Sequence, residues 1–228
     1  MMKNLKVYVY VAALIMVGVF NVNAQTNVVS TGSTNKPVHK TFKTFDLSNF
    51  VFTVENEFRA KDTGTSFFYE HNDIQAKYLL IDKYFDIFTD YRLIFKNSAE
   101  GNNWKNQSMF LEGFNIKYPE QTWGKINLRQ RLEIGLNHAP TKDTYQWNVF
   151  PKYNTPWKLT KYEINPFVAD ESFFDTQQSM GFVKNRVYAG IDYKFTPKIK
   201  GGTWYYYETA AHSSSTANVL VTQIKFEF

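Results

Sequence analysis

The chain of 228 residues contains no cysteine. That excludes a disulfide framework, thiolate metal ligation and lipid attachment to a cysteine behind a leader peptide. Beyond residue 24 there is no run of 18 apolar residues and no apolar stripe at helical spacing, so no membrane-spanning helix is expected. No two histidines lie four apart, no acidic loop has calcium-binding spacing, and no glycine motif cradles a phosphate. No metal or cofactor site is therefore expected. The formal charge is +5, or +3 without Lys3 and Lys6 of the leader described below. So small an excess does not point to a nucleic-acid partner, and export would separate the protein from one.

Aromatic residues are abundant instead: 21 Phe, 15 Tyr and five Trp, or 18% of the chain. Mean hydropathy is nevertheless below zero. A wall that alternates between lipid and an aqueous or charged interior, edged by aromatic girdles, reconciles the two. At the start, Lys3 and Lys6 precede the weakly polar run Val7–Phe20, and Val22-Asn23-Ala24 offers small residues at −3 and −1. The pattern is a secretory signal over residues 1–24, its core too short for the roughly 20 residues of a spanning helix. Residues 25–48, rich in Thr, Ser, Asn and Lys, read as a flexible N-terminal periplasmic segment, leaving 49–228 as the folded domain.

From Phe50 onward the period is two. Ile126, Leu128, Leu132, Ile134 and Leu136 share one face, interrupted by Gln130, opposite Lys125, Asn127, Arg129, Arg131 and Glu133. Val187, Ala189, Ile191 and Tyr193 likewise oppose Lys184, Arg186, Asp192 and Lys194. Ten such segments are predicted: 50–59, 74–81, 84–95, 108–118, 124–136, 145–153, 161–169, 183–195, 199–209 and 217–228. The connections between them alternate short and long, as in a barrel with tight periplasmic turns and longer external loops. The last segment alternates to a final Phe228 and resembles the sorting signal read by the barrel-assembly machinery. Within a bilayer an open sheet edge would leave backbone groups unpaired at several kcal/mol each, so the sheet must close. The expected fold is all-β: an up-and-down antiparallel transmembrane β-barrel of about ten strands, with eight and twelve as alternatives.

Three segments carry a family likeness: Asn127-Leu128-Arg129-Gln130-Arg131-Leu132-Glu133, Asn165-Pro166-Phe167, and Asn185-Arg186-Val187-Tyr188-Ala189-Gly190-Ile191. In these the chain resembles the bacterial outer-membrane proteins catalogued as domain of unknown function 2490. The resemblance implies an outer-membrane barrel and no established activity.

Charges on the presumed inward face are the main polar feature: Glu55, Glu57, Arg59, Asp86, Asp90, Arg92, Arg129, Arg131, Glu133, Lys184, Arg186, Asp192, Lys194, Lys200 and Glu208. Arg129, Arg131, Glu133, Arg186 and Asp192 form the candidate lumen cluster. In so narrow a barrel they are expected to neutralise one another as a packed core. The alternative is a basic constriction of Arg129, Arg131 and Arg186 that selects anions. His71, His138 and His212 fall at the predicted external strand ends, with Ser213, Ser214 and Ser215 beside the last. No spacing ties a nucleophile to a base, so no catalytic residues are assigned and an enzyme is disfavoured. Of Trp204-Tyr205-Tyr206-Tyr207 only two can share a strand face, and an interfacial girdle is the expected role; Gly201-Gly202 is read as a bend or a close approach.

Three functions follow, in order of preference. The first is an outer-membrane barrel with a structural or surface-interaction role, touching outer-membrane lipid, lipopolysaccharide or an unspecified small ligand. The second is a narrow channel for small anionic or sugar solutes, and the third a loop-level lipid- or peptide-modifying enzyme.

Overall fold

The computed structural model describes residues 47–61, 66–81, 83–97, 104–136, 143–177, 181–211 and 216–228. The leader, residues 25–46, His138, His212 and Ser213–Ser215 lie outside the described residues. After a 3-10 turn at Leu47–Asn49 come ten strands: β1 (Phe50–Lys61), β2 (Ser66–Ile81), β3 (Phe85–Asn97), β4 (Trp104–Lys117), β5 (Lys125–Leu136), β6 (Thr144–Asn154), β7 (Asn165–Asp175), β8 (Gly181–Lys194), β9 (Ile199–Ala210) and β10 (Thr216–Glu227). Each pairs antiparallel with the next, and β10 returns to pair with β1, so the sheet is a closed up-and-down barrel.

The strands are strongly tilted. A row of paired residues leaves Phe50 and passes Tyr78, Ile87, Phe114, Gln130 and Val149. It continues through Ser172, Asn185 and Thr209 to Thr216. Phe50 begins β1 at the end of the barrel that holds both strand termini; Thr216 begins β10 at the opposite end, here called the loop end. This stagger is the shear that closure of a ten-stranded sheet requires. Pro151, which has no N–H to donate, lies where the β6–β7 ladder skips between Val149 and Lys152.

The distribution of side chains is inside out. On β3, Asp86, Asp90 and Arg92 are buried in the lumen. Phe52, Ile74 and Val187, all more than half exposed, lie on the outer wall. At the terminal end this wall carries an aromatic girdle in which Trp123 stacks between Tyr118 and Tyr153, and Tyr162 meets Phe195. At the loop end Phe67 packs on Trp104. The polar Asn56 on this outer wall is locally bonded: its Nδ2 donates to Glu70 Oε1 (3.2 Å) and Asn72 Oδ1 (2.9 Å) on β2.

Connection lengths differ from expectation. The terminal end carries connections 82–84, 118–124, 155–164 and 195–198, and the loop end 62–65, 98–103, 137–143, 176–180 and 211–215. Short and long do not alternate, and the longest lies at the end predicted to be tight. The reason is that strands continue through segments whose polarity suggests loops. β2 starts at Ser66 rather than at residue 74, and β4 at Trp104 rather than at residue 108. The predicted strand 161–169 is displaced to β7 at Asn165–Asp175. Residues 161–163 instead turn within a small hairpin, where Leu159 and Ile164 exchange backbone hydrogen bonds of 2.8 Å and Thr160 and Glu163 take positive φ. Gly201 and Gly202 serve close approach: a Cβ would lie 2.4 Å from the Tyr193 ring at the first and 2.7 Å from the Trp204 ring at the second. Trp204 and Tyr206 turn inward, so only Tyr205 and Tyr207 of the predicted girdle run face outward.

Candidate functional site: the charged lumen

Period-two geometry sends Arg129, Arg131 and Glu133 of β5 to one face, the lumen. From β7, two strands along the wall and beyond β6, Glu171 projects to meet them. Its Oε1 accepts from Arg129 Nη2 (3.2 Å), Arg131 Nη2 (3.4 Å) and Asn148 Nδ2 (2.8 Å). Its Oε2 faces Arg186 Nη1 at 3.6 Å and accepts from the Tyr188 hydroxyl. Three guanidiniums thus share one carboxylate that is 2% exposed. Arg131 and Arg186 are completed by second carboxylates, Glu133 (Nε to Oε1, 2.7 Å) and Glu208 (Nε to Oε2, 2.5 Å). Among the described residues Arg129 has no second carboxylate, and it lies over the Phe150 ring at 4.4 Å.

A second knot crosses from β1 to β3. Arg92 binds Asp73 through both Nε (2.8 Å) and Nη2 (2.6 Å), the two-pronged geometry that makes such pairs strong. Arg59 pairs with Glu57 at 2.6 Å and lies over the Tyr69 ring at 4.2 Å.

Together these knots divide the lumen. A cavity of about 360 Å³ lies on the terminal side and one of about 500 Å³ on the loop side. Arg59, Arg92, Arg131, Arg186 and Tyr206 line both, and so form a septum between them. Of the five candidate cluster residues, Arg129, Arg131, Glu133 and Arg186 meet around Glu171. Asp192 stands apart in the terminal-side chamber, bound to Lys152 Nζ (2.6 Å) and Asn154 Nδ2 (3.0 Å).

Sequence reasoning missed the hub. Glu171 falls in a stretch read as a loop, although Phe167, Ala169, Glu171 and Phe173 already alternate as a lumen face. It also misplaced His71, which belongs to β2 and is fully buried among charges rather than at a loop tip. Glu70-His71-Asn72-Asp73 looked like a loop because both of its faces are polar; the inward pair meets lumen charges and the outward pair meets Asn56.

A closed antiparallel barrel with an apolar outer wall and a charge-bridged interior is the class that fold and site define. The model of the family described as "Protein of unknown function (DUF2490)" matches residues 34–219, and the chain belongs to that family. A search of curated proteins returned no match. Among solved structures, Salmonella typhi OmpF in complex with daunomycin aligns over 78% of this chain and 57% of its own, at 12% identity and a TM-score of 0.33. The translocator domain of the autotransporter NalP from Neisseria meningitidis aligns over 78% of this chain and 88% of its own, at 10% identity and a TM-score of 0.37.

Proposed function

We propose that this protein resides in the outer membrane of a Gram-negative cell as a barrel that does not conduct at rest, and that it interacts at the surface through its loop-end chamber. The continuous outward belt of Phe, Ile, Val and Leu supports lipid as its surroundings, because a water-facing wall of that size would aggregate. An even strand number puts both strand termini at one end, assigned here to the periplasm; the larger chamber then opens outward.

The septum carries this function. Its guanidiniums are engaged by carboxylates on several strands, and opening a path would strip buried charges of their partners. In planar bilayers the purified barrel is expected to give no steady current; regular single-channel steps would overturn the non-conducting reading. Recovery in the outer-membrane fraction, with faster migration on unboiled gels, is expected as well, and a soluble periplasmic product would remove the membrane assignment.

The outer chamber supports anionic surface groups as ligands. Arg59, Lys61, Arg92, Lys96, Arg131, Lys184 and Arg186 line it, against Glu133 and Glu208. Lys61 and Lys96 lean over the rings of Phe68 (4.6 Å) and Tyr69 (5.7 Å). Exchanging both lysines for glutamate should weaken retention of lipopolysaccharide in detergent. Equal retention would exclude this chamber from the surface role.

A second reading, a narrow channel for small anionic solutes, is favoured by the lysines of the inner chamber: Lys77, Lys117, Lys125, Lys152 and Lys225. It requires the septum to part, and anion-selective current in the bilayer experiment would establish it.

A further inference from the structure

We propose that Glu55, His71 and Asp73 form a binding site for a divalent transition metal of the zinc type in the lumen wall between β1 and β2. Sequence spacing hides this set, because Glu55 is brought to the others by strand register: Glu55 pairs with Asp73, and Glu57 with His71. One ligand atom from each of the three lies within 4.8 Å of the others. His71 Nε2 stands 3.5 Å from Glu55 Oε1 and 3.6 Å from Asp73 Oδ2.

The imidazole is the informative group. It is fully buried, and its Nε2 has no hydrogen-bond partner among the described residues. Its Nδ1 lies 3.2 Å from the Tyr69 hydroxyl, and a proton donated there leaves the Nε2 lone pair facing two carboxylate oxygens. A lone pair aimed at two anions is repulsive unless a cation lies between them. A histidine held through its second nitrogen, beside two carboxylates, is a donor set suited to zinc and its neighbours.

The neighbouring charges are largely paired. Glu55, Glu57 and Asp73 are matched by Lys225, Arg59 and Arg92. Asp90, next to Arg92 on the inward face of β3, is also buried and keeps Oδ1 without a partner. A fourth carboxyl group, with no ion pair among the described residues, therefore lies beside the candidate ligands. Glu55 lines the terminal-side chamber, which gives the ion a route in.

The test uses the full barrel folded in detergent, stripped with a chelator and dialysed against Zn²⁺, with bound metal counted per chain. One ion per chain is expected, with binding at least about tenfold weaker in His71→Gln and in Glu55→Gln. Unboiled-gel migration confirms that each variant is folded. Because either variant could fail that check, the zinc-edge absorption spectrum of the parent protein is a second readout, and it should show one imidazole among oxygen ligands. A chain with His39, His138 and His212 all changed to Ala should keep both the stoichiometry and the spectrum. Absence of stoichiometric zinc in the folded parent would overturn the site and leave a proton on His71 as the bridging charge. So would binding that survives His71→Gln, or binding lost in the triple-alanine chain.

Discussion

Replacing Glu171 by Ala is expected to lower the unfolding free energy by about 3–5 kcal/mol, the usual cost of removing one partner from a buried ion pair. Glu171 is the shared acceptor for Arg129, Arg131 and Arg186, and it also holds Asn148 and Tyr188. Its loss removes the shared acceptor of all these donors at once. Trimming the arginines one at a time should cost less. Arg131 and Arg186 leave Glu171 with other cations when removed. Arg129 is the least buried of the three, with 29% of its side chain exposed, and its removal should cost least. Urea titration of the folded barrel in vesicles, followed by tryptophan fluorescence, ranks the four. The same Glu171→Ala protein should show unsteady current in planar bilayers where the parent shows none. An unchanged urea midpoint together with silent bilayers would mean that the network is ornamental to both stability and closure.

The second large effect concerns the outer wall, and strand register sharpens it into a comparison. A cation placed at the middle of a lipid-facing strand costs roughly 2–4 kcal/mol. Leu128 and Leu132 both face outward on β5 and flank its midpoint. Leu128 lies between Ile116 and Pro151, whereas Leu132 lies between Glu112 and Trp147. Leu128→Arg should therefore incur the whole penalty. An arginine at 132 stands directly across from the Glu112 carboxylate, and a cross-strand pair of opposite charge returns up to about 1 kcal/mol even in water. In lipid, with its lower dielectric, the return is larger. Refolding into vesicles should then rank parent above Leu132→Arg above Leu128→Arg. Equal penalties would show that Glu112 does not reach position 132. The absence of any penalty would remove lipid from this face.

Most of the wall was legible in the chain itself. Alternation along 124–136, 183–195 and 217–228 assigns Ile126, Leu128, Leu132, Val187 and Ile224 outward and the interleaved charges inward, and the strands bear this out. Alternation is readable because a strand's side-chain period is two whatever its neighbours are. Boundaries were less legible. Where both faces of a strand are polar, as in Glu70-His71-Asn72-Asp73 and Asp170-Glu171-Ser172, the contrast between faces disappears and the segment resembles a loop. The apparent rule of short and long connections was a by-product of those truncated strands.

The pairing of charges was not legible. Strand alternation tells that Arg131 points inward, but not that Glu171, forty positions away, comes to meet it. Their meeting is set by the combined register of two strand pairs, β5 with β6 and β6 with β7. The same holds for Glu55 with Asp73 and for Glu57 with His71, whose apposition depends on the register of one hairpin.

By itself, then, the sequence determined a closed antiparallel barrel, its family and the two faces of its wall, because those follow from local periodicity and composition. Only the tertiary structure decided that the inward charges knit into a septum around Glu171, that His71 lies within the wall, and that this septum stands between a terminal-side and a loop-side cavity. Closure and tilt bring together groups that no local spacing can relate.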